Sequence, residues 1–210
     1  MKNMSYTQSI LVFGLAFVLT ATAGAGNVLA QTTSPESTEE ITQSVTAERD
    51  TPVFAPKFLI IPKLAVATRV ESVGQNDSGA MEVPYDWRNA AWYEPGYLPG
   101  QNGRTVFAAH RDWKGSAGPF FRLDEMTAGD MVYTASSDGT ILAYRVTNSK
   151  LFARGFDPSG SVFGAAPMPR LTLITCEGEY LEDSETYTDR RVVSADLAFS
   201  FAGGEIKTYD

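Results

Sequence analysis

Cys176 and His110 are the only cysteine and the only histidine among 210 residues. They are therefore the only soft nucleophile and the only near-neutral base. A thiol is a poor nucleophile at its free pKa of about 8.5, and a neighbouring imidazole activates it by taking its proton or by pairing with the thiolate. Acyl transfer also needs a donor for the developing oxyanion, supplied by backbone N–H groups or by an arginine. Arg190 and Arg191 follow Cys176 by 14 and 15 residues. An antiparallel strand entering there brings a guanidinium to the thiol, and because adjacent strand residues point to opposite faces only one of the two can aim at it. On residue types alone, Cys176 could equally be a small buried hydrophobe and His110 a structural side chain.

The elements that must position these groups read as strands. Arg104–His110 (RTVFAAH) is an apolar strand ending at the histidine, and Leu171–Cys176 (LTLITC) is another ending at the cysteine. Phe58–Ile61 is a short buried run, and Ala65–Val73 alternates apolar and polar residues with the period of a half-buried strand. Met131–Ala135 and Ile141–Val146 flank a Ser137-Asp-Gly139 hairpin turn, and Arg191–Phe201 forms the last strand. Helical signal is confined to Pro119–Met126, where two turns would direct Phe120, Leu123 and Met126 inward. Short strands joined by Gly- and Pro-rich connections predict a mostly β domain, a barrel or a sandwich.

Composition excludes other classes. Acidic residues outnumber basic ones 25 to 17, a formal net charge of −8, so the basic footprint of a nucleic-acid binder is absent. One cysteine forbids an intramolecular disulfide, and with one histidine it argues against a zinc site of the usual ligand types. Lys2 is the only charge before Glu36, and an apolar run begins at Ile10. Residues 1–30 therefore read as an export signal, with Val28-Leu29-Ala30 as a cleavage site, or as an N-terminal membrane anchor. Either reading places the remainder outside the cytoplasmic membrane, secreted or tethered. Residues 31–53 are polar, rich in Ser, Thr and Glu, and read as a disordered linker, leaving 54–210 as the catalytic domain.

The motifs themselves carry a resemblance. Leu171-Thr-Leu-Ile-Thr-Cys176 resembles the sortase signature, a Thr-Leu-any-Thr-Cys run that ends on the nucleophile. Trp92-Tyr93 to Pro99-Gly100, then Gly103 to His110-Arg-Asp112, is similar to the sortase histidine block. Phe120-Phe121-Arg-Leu123 to Gly129-Asp130 fits the same pattern, and Tyr187-Thr-Asp-Arg190-Arg191 resembles the family's arginine strand. The likeness runs from about Phe54 to Phe201 and is strongest to class F, or the related classes D and E.

The resemblance implies a closed sortase-type β-barrel of about eight strands with one or two short helices. It implies Cys176 as nucleophile, His110 as acid/base partner and Arg190 as the group holding the substrate or its oxyanion, with Arg191 as competitor. Thr175 and Ile174 would line the substrate groove. The implied reaction cleaves a Leu-Pro-any-Thr-Gly sorting signal between Thr and Gly, through a thioacyl-enzyme. An amine, such as that of a peptidoglycan precursor, then takes the acyl group, and the partners are surface proteins bearing the signal at their C-termini. No cofactor is implied beyond calcium, which some class A sortases bind; the acids Glu177, Glu179, Glu182, Asp183, Glu185 and Asp189 would be its ligands, although no EF-hand pattern is present and a charged loop is usually a solvated one. By analogy, Leu151–Arg170, with Phe152, Phe156 and Phe163, shapes the sorting-signal pocket, unless these aromatics merely plug the barrel edge. Two other classes stay open on the residues: a different exported cysteine acyl-transferase or peptidase of the L,D-transpeptidase kind, and a non-catalytic secreted β-barrel binding module. The first usually shows a Ser-His-Gly-any-Cys motif, whereas here the histidine lies 66 residues before the cysteine.

Overall fold

The apolar run Phe58–Ile61 forms strand β1, with Leu59 and Ile61 fully buried and Phe58 exposed. This alternation assigns one face to a core and the other to solvent. The computed structural model describes residues 51–201; the expected signal or anchor at 1–30 and nearly all of the expected linker at 31–53 lie outside the described residues. The further strands are β2 (Val66–Val73), β3 (Ala90–Tyr93), β4 (Gly103–Ala109), β5 (Asp112–Trp113) and β6 (Ser116–Ala117). They are followed by β7 (Met131–Ala135), β8 (Ile141–Ala153), β9 (Pro169–Leu181) and β10 (Thr186–Phe201).

Eight of these close into a barrel in the order β1-β2-β3-β4-β9-β10-β8-β7, while β5 and β6 form a small separate hairpin. Most ladders are antiparallel, but β2 with β3 and β4 with β9 pair in parallel. Closure removes the free sheet edges that would otherwise template association. The interior holds Leu59, Phe107, Leu142, Tyr144, Leu171 and Leu173, all fully buried. Tyr144 brings a hydroxyl into this core; the Gly100 amide donates to it at 3.2 Å, and burial raises its pKa strongly.

Three sequence expectations are corrected. Pro119–Met126 is not a two-turn helix. Only Leu123–Glu125 makes a 3-10 turn, although Phe120, Leu123 and Met126 are buried as expected. Apolar spacing alone does not lengthen a helix when the segment's backbone amides are taken by turns, as when the Phe120 amide donates to the His110 carbonyl. Among the described residues there is no α-helix, only three 3-10 turns. Strand β9 does not end at Cys176 but runs five residues past it to Leu181, paired there with β10 alone. Strand β8 likewise runs on to Ala153. No helix among the described residues is long and apolar enough to cross a membrane.

Candidate active site

On β9 the alternation puts Leu171, Leu173 and Thr175 inside the barrel, which leaves Thr172, Ile174 and Cys176 on its outer face. The parallel ladder between β4 and β9 ends at Ala108 opposite Ile174. Beyond that point the Thr175 Oγ1 donates to the Ala109 carbonyl at 2.8 Å, a side-chain bond that extends the ladder by one step. His110 is the first residue after β4, so it leaves the sheet beside the half-buried Cys176. The sequence predicts that two strand ends meet here; instead the end of β4 meets the interior of β9, on neighbouring strands of the same wall.

The backbone of His110 is held from the other side. The Phe120 amide donates to the His110 carbonyl at 3.1 Å and the Gly118 amide to the Arg111 carbonyl at 2.7 Å. A Cβ at Gly118 would lie 2.3 Å from the His110 oxygen, so only glycine lets this loop close on the histidine. The His110 ring packs against Trp113, centroids 5.2 Å apart. Burial pushes its pKa below the ordinary imidazole value, and the nearby Asp112 carboxylate partly opposes this. Asp112 in turn accepts a short hydrogen bond from the Tyr187 hydroxyl, which drives the Tyr187 pKa up to about 12.

The two arginines separate cleanly. Arg190 lies directly opposite Cys176 across the β9–β10 ladder and opposite Phe152 on β8. Its guanidinium donates to the carbonyls of Tyr187 (3.1 Å) and Asp189 (2.8 Å) and to Thr186 Oγ1 (3.2 Å), and it forms no ion pair among the described residues. Arg191 points to the other face and grips Glu177 with two bonds of 2.7 and 2.5 Å. Its charge is neutralised there, whereas Arg190, which borders the same cavity as the thiol, meets no carboxylate among the described residues. Opposite the Tyr187–Asp189 stretch that precedes Arg190, β9 carries a bulge: Tyr187 faces Tyr180 while Asp189 faces Glu177. Gly178 sits in the bulge at φ +89°, where a Cβ would strike Thr188 and Asp189.

Cys176, His110 and Arg190 all line one open cavity of about 690 Å³. Phe156 and Phe163 from the segment after β8 form one wall, and Met81, Val83 and Pro84 from the β2–β3 connection form another. Phe163 packs edge-on against Tyr93 (5.1 Å) and Phe156 stacks on Phe152 (4.4 Å), so the aromatics line the groove rather than fill the barrel. Ile174 and Thr175 also border it. Ile174 packs with Val106, Val162 and Val192, whereas the Thr175 hydroxyl is spent on Ala109. The β2–β3 wall was not foreseen; Met81-Glu-Val83 shows strand-like alternation but lies in a loop. The Asp112–Tyr187 contact joins residues 75 apart and has no local signal. Among the described residues no three His, Cys, Asp or Glu side chains gather as a metal site requires. Of the acids suggested for calcium, Glu177 is committed to Arg191, and Asp189 accepts from Thr188.

Comparison with known proteins bears on the family and the fold. The family model described as Sortase domain matches residues 59–198, well over half of the chain. The chain belongs to the sortase family. Sortases are cysteine transpeptidases, and the closed eight-stranded barrel is the sortase fold. Solved sortases share that fold at low identity. The SrtA sortase from Actinomyces oris is 21% identical, with 73% of this chain and 89% of that one covered at a TM-score of 0.55. Sortase C1 from Streptococcus suis is 21% identical, covering 71% and 75% at a TM-score of 0.54. Sortase C of Streptococcus pneumoniae is 24% identical, covering 70% of each chain at a TM-score of 0.52. No curated protein sequence matches significantly.

Proposed function

We propose that this sortase acts outside the cytoplasmic membrane, cleaving a Leu-Pro-any-Thr-Gly type sorting signal between Thr and Gly and passing the acyl group to an amine. Cys176 is the nucleophile, His110 the acid/base group and Arg190 the oxyanion or substrate anchor. The observation that carries this reading is the meeting of these three side chains on one cavity, with Arg190 opposite Cys176 and without a carboxylate partner among the described residues.

In the proposed first half, the Cys176 sulfur attacks the Thr carbonyl carbon while the guanidinium of Arg190 stabilises the charge growing on its oxygen. The C–N bond to Gly breaks, and His110 passes the proton it has taken from the thiol to the leaving amine. The groove between Phe163, Tyr93 and Met81 suits the apolar residues of an extended peptide, and alternate side chains of such a peptide would meet its two walls. In the second half, an amine replaces Gly on the carbonyl and frees the thiol. Surface proteins carrying the signal are the proposed donors, and a cell-wall precursor supplies the amine. The apolar segment after Lys2 and the polar stretch 31–53 support export and tethering. The class is proposed as F, or the neighbouring D and E, from the sequence blocks.

The test is intact-mass analysis of the full chain incubated with a Leu-Pro-any-Thr-Gly peptide, with and without a glycine-based amine. An acyl adduct on Cys176 that the amine converts to ligated peptide is the expected result. No adduct across several motif variants would overturn the substrate assignment.

A further inference from the structure

A second cavity of about 670 Å³ opens at the same thiol. The two cavities share only His110 and Cys176 in their linings. The first is walled by Phe156, Phe163 and the β2–β3 connection. The second is built from the β5–β6 hairpin and the β9–β10 turn, and it is charged: Asp112 and Glu185 on the acidic side, Arg111 and Lys114 on the basic side. Trp113, Tyr180 and Tyr187 supply its aromatic surface.

A transpeptidase must bring a second substrate to the thioester while the acyl chain still fills the first groove. We propose that this second cavity is the acceptor site, and that it selects an amine whose chain also carries a carboxylate. The inference rests on the function proposed above. A lining that holds acids and bases together matches a zwitterion better than a simple cation. Glu185 and Asp112 attract the ammonium form, while Lys114, whose ammonium lies 5.7 Å from the Trp113 ring centroid, meets the carboxylate. Arg111 is less available, because it stacks over Phe121 and Tyr187 and lies 4.0 Å from Asp112. In a protein of net charge −8, local cations are what admit an anionic group at all.

The step balances without an added reagent. The free amine nitrogen attacks the thioester carbonyl, the C–N bond forms and the C–S bond breaks. The proton lost by nitrogen passes to His110, and from it to the departing sulfur of Cys176.

Glycylglycine and glycylglycinamide form the decisive pair of probes, since they differ in the terminal carboxylate. Each is titrated into full-length protein carrying Cys176→Ala, reading the indole N–H signal of Trp113, assigned by Trp113→Phe. Both probes are expected to shift that signal, with glycylglycine half-saturating at about two- to fivefold lower concentration, the scale of an exposed ion pair. Lys114→Gln should erase the difference, and Glu185→Gln should weaken both probes alike. An unmoved Trp113 signal, or equal or reversed preference, overturns the inference. Capture of the acyl-enzyme by the same two amines in the otherwise unchanged protein separates the two claims. A preferential Trp113 response without any acyl adduct on Cys176 sinks the proposed donor chemistry and leaves the acceptor site standing. An adduct that only hydrolyses, with Trp113 silent, does the reverse.

Discussion

The hydroxyl of Thr175 donates to the carbonyl of Ala109, at the point where the β4–β9 ladder has run out. One side-chain bond therefore fixes the spacing between the residues that follow each partner, Cys176 and His110. This gives the signature threonine a mechanical role: it aligns the end of β4 with the interior of β9 at the border of the groove.

Thr175→Val keeps the shape and strands a buried carbonyl. It should cost about 1–3 kcal/mol of stability and lower kcat/KM by about tenfold through a displaced His110. Thr175→Ser should restore both. Denaturant melts and single-substrate kinetics check it, and an unaltered kcat/KM in the Val variant would remove the aligning role.

Arg190→Ala and Arg191→Ala should fail in different ways. Loss of Arg190 should reduce turnover by about 10²–10³-fold and leave the melting temperature nearly unchanged. Loss of Arg191 leaves Glu177 without its partner in a site where each side chain is only 17% exposed. It should destabilise the barrel by about 1–3 kcal/mol while the folded enzyme keeps most of its rate. The opposite pattern would exchange their roles.

His110 gives a single, unambiguous imidazole titration by NMR, because the sequence has one histidine. Burial places its midpoint below the unperturbed value of about 6.5. The folded chain then binds fewer protons than the unfolded one as pH falls through this range. The contribution of His110 to stability is thus present above the unfolded midpoint and lost on acidification. Asp112→Asn removes the opposing charge and should lower the midpoint further. A wild-type midpoint above 6.5 would instead mean that neighbouring charge, not burial, dominates at His110.

Gly118→Ala inserts a methyl 2.3 Å from the His110 carbonyl oxygen. The loop must shift, at about 1–3 kcal/mol, and His110 with it. Activity should fall more than stability does, since the displaced group is the acid/base. A variant with native kinetics would show that the loop can relax without moving the histidine.

Much of this arrangement is legible in the sequence where local pattern and tertiary role coincide. Phe58–Ile61 and Met131–Ala135 are apolar runs bounded by turn residues, and both are strands over the expected bounds. Phe120, Leu123 and Met126 reveal their burial but not their backbone, because a helix and a string of tight turns can bury the same three side chains. Strand β3 escapes because Ala90–Tyr93 lacks alternation: Ala90, Ala91 and Trp92 are all buried. The continuation of β9 past Cys176 is masked by Glu177, Gly178 and Glu179, which read as a loop although Gly178 is the pivot of a bulge. Arg190 and Arg191 are indistinguishable by composition, and what separates them is the position of Glu177 on the opposite strand.

The strand order has a consequence for how the enzyme comes into being. β4 waits for β9, whose residues follow it by 66 positions in register, and β1, paired with β2 on one side, gains its other neighbour only when β7 arrives. These sequence-distant pairings belong to slow-folding topologies. A chain emerging N-terminus first cannot assemble His110 with Cys176 until nearly the whole domain has been delivered, and Arg190 arrives later still. On the proposed roles, the site is therefore incomplete in a nascent chain until the last strand is in place.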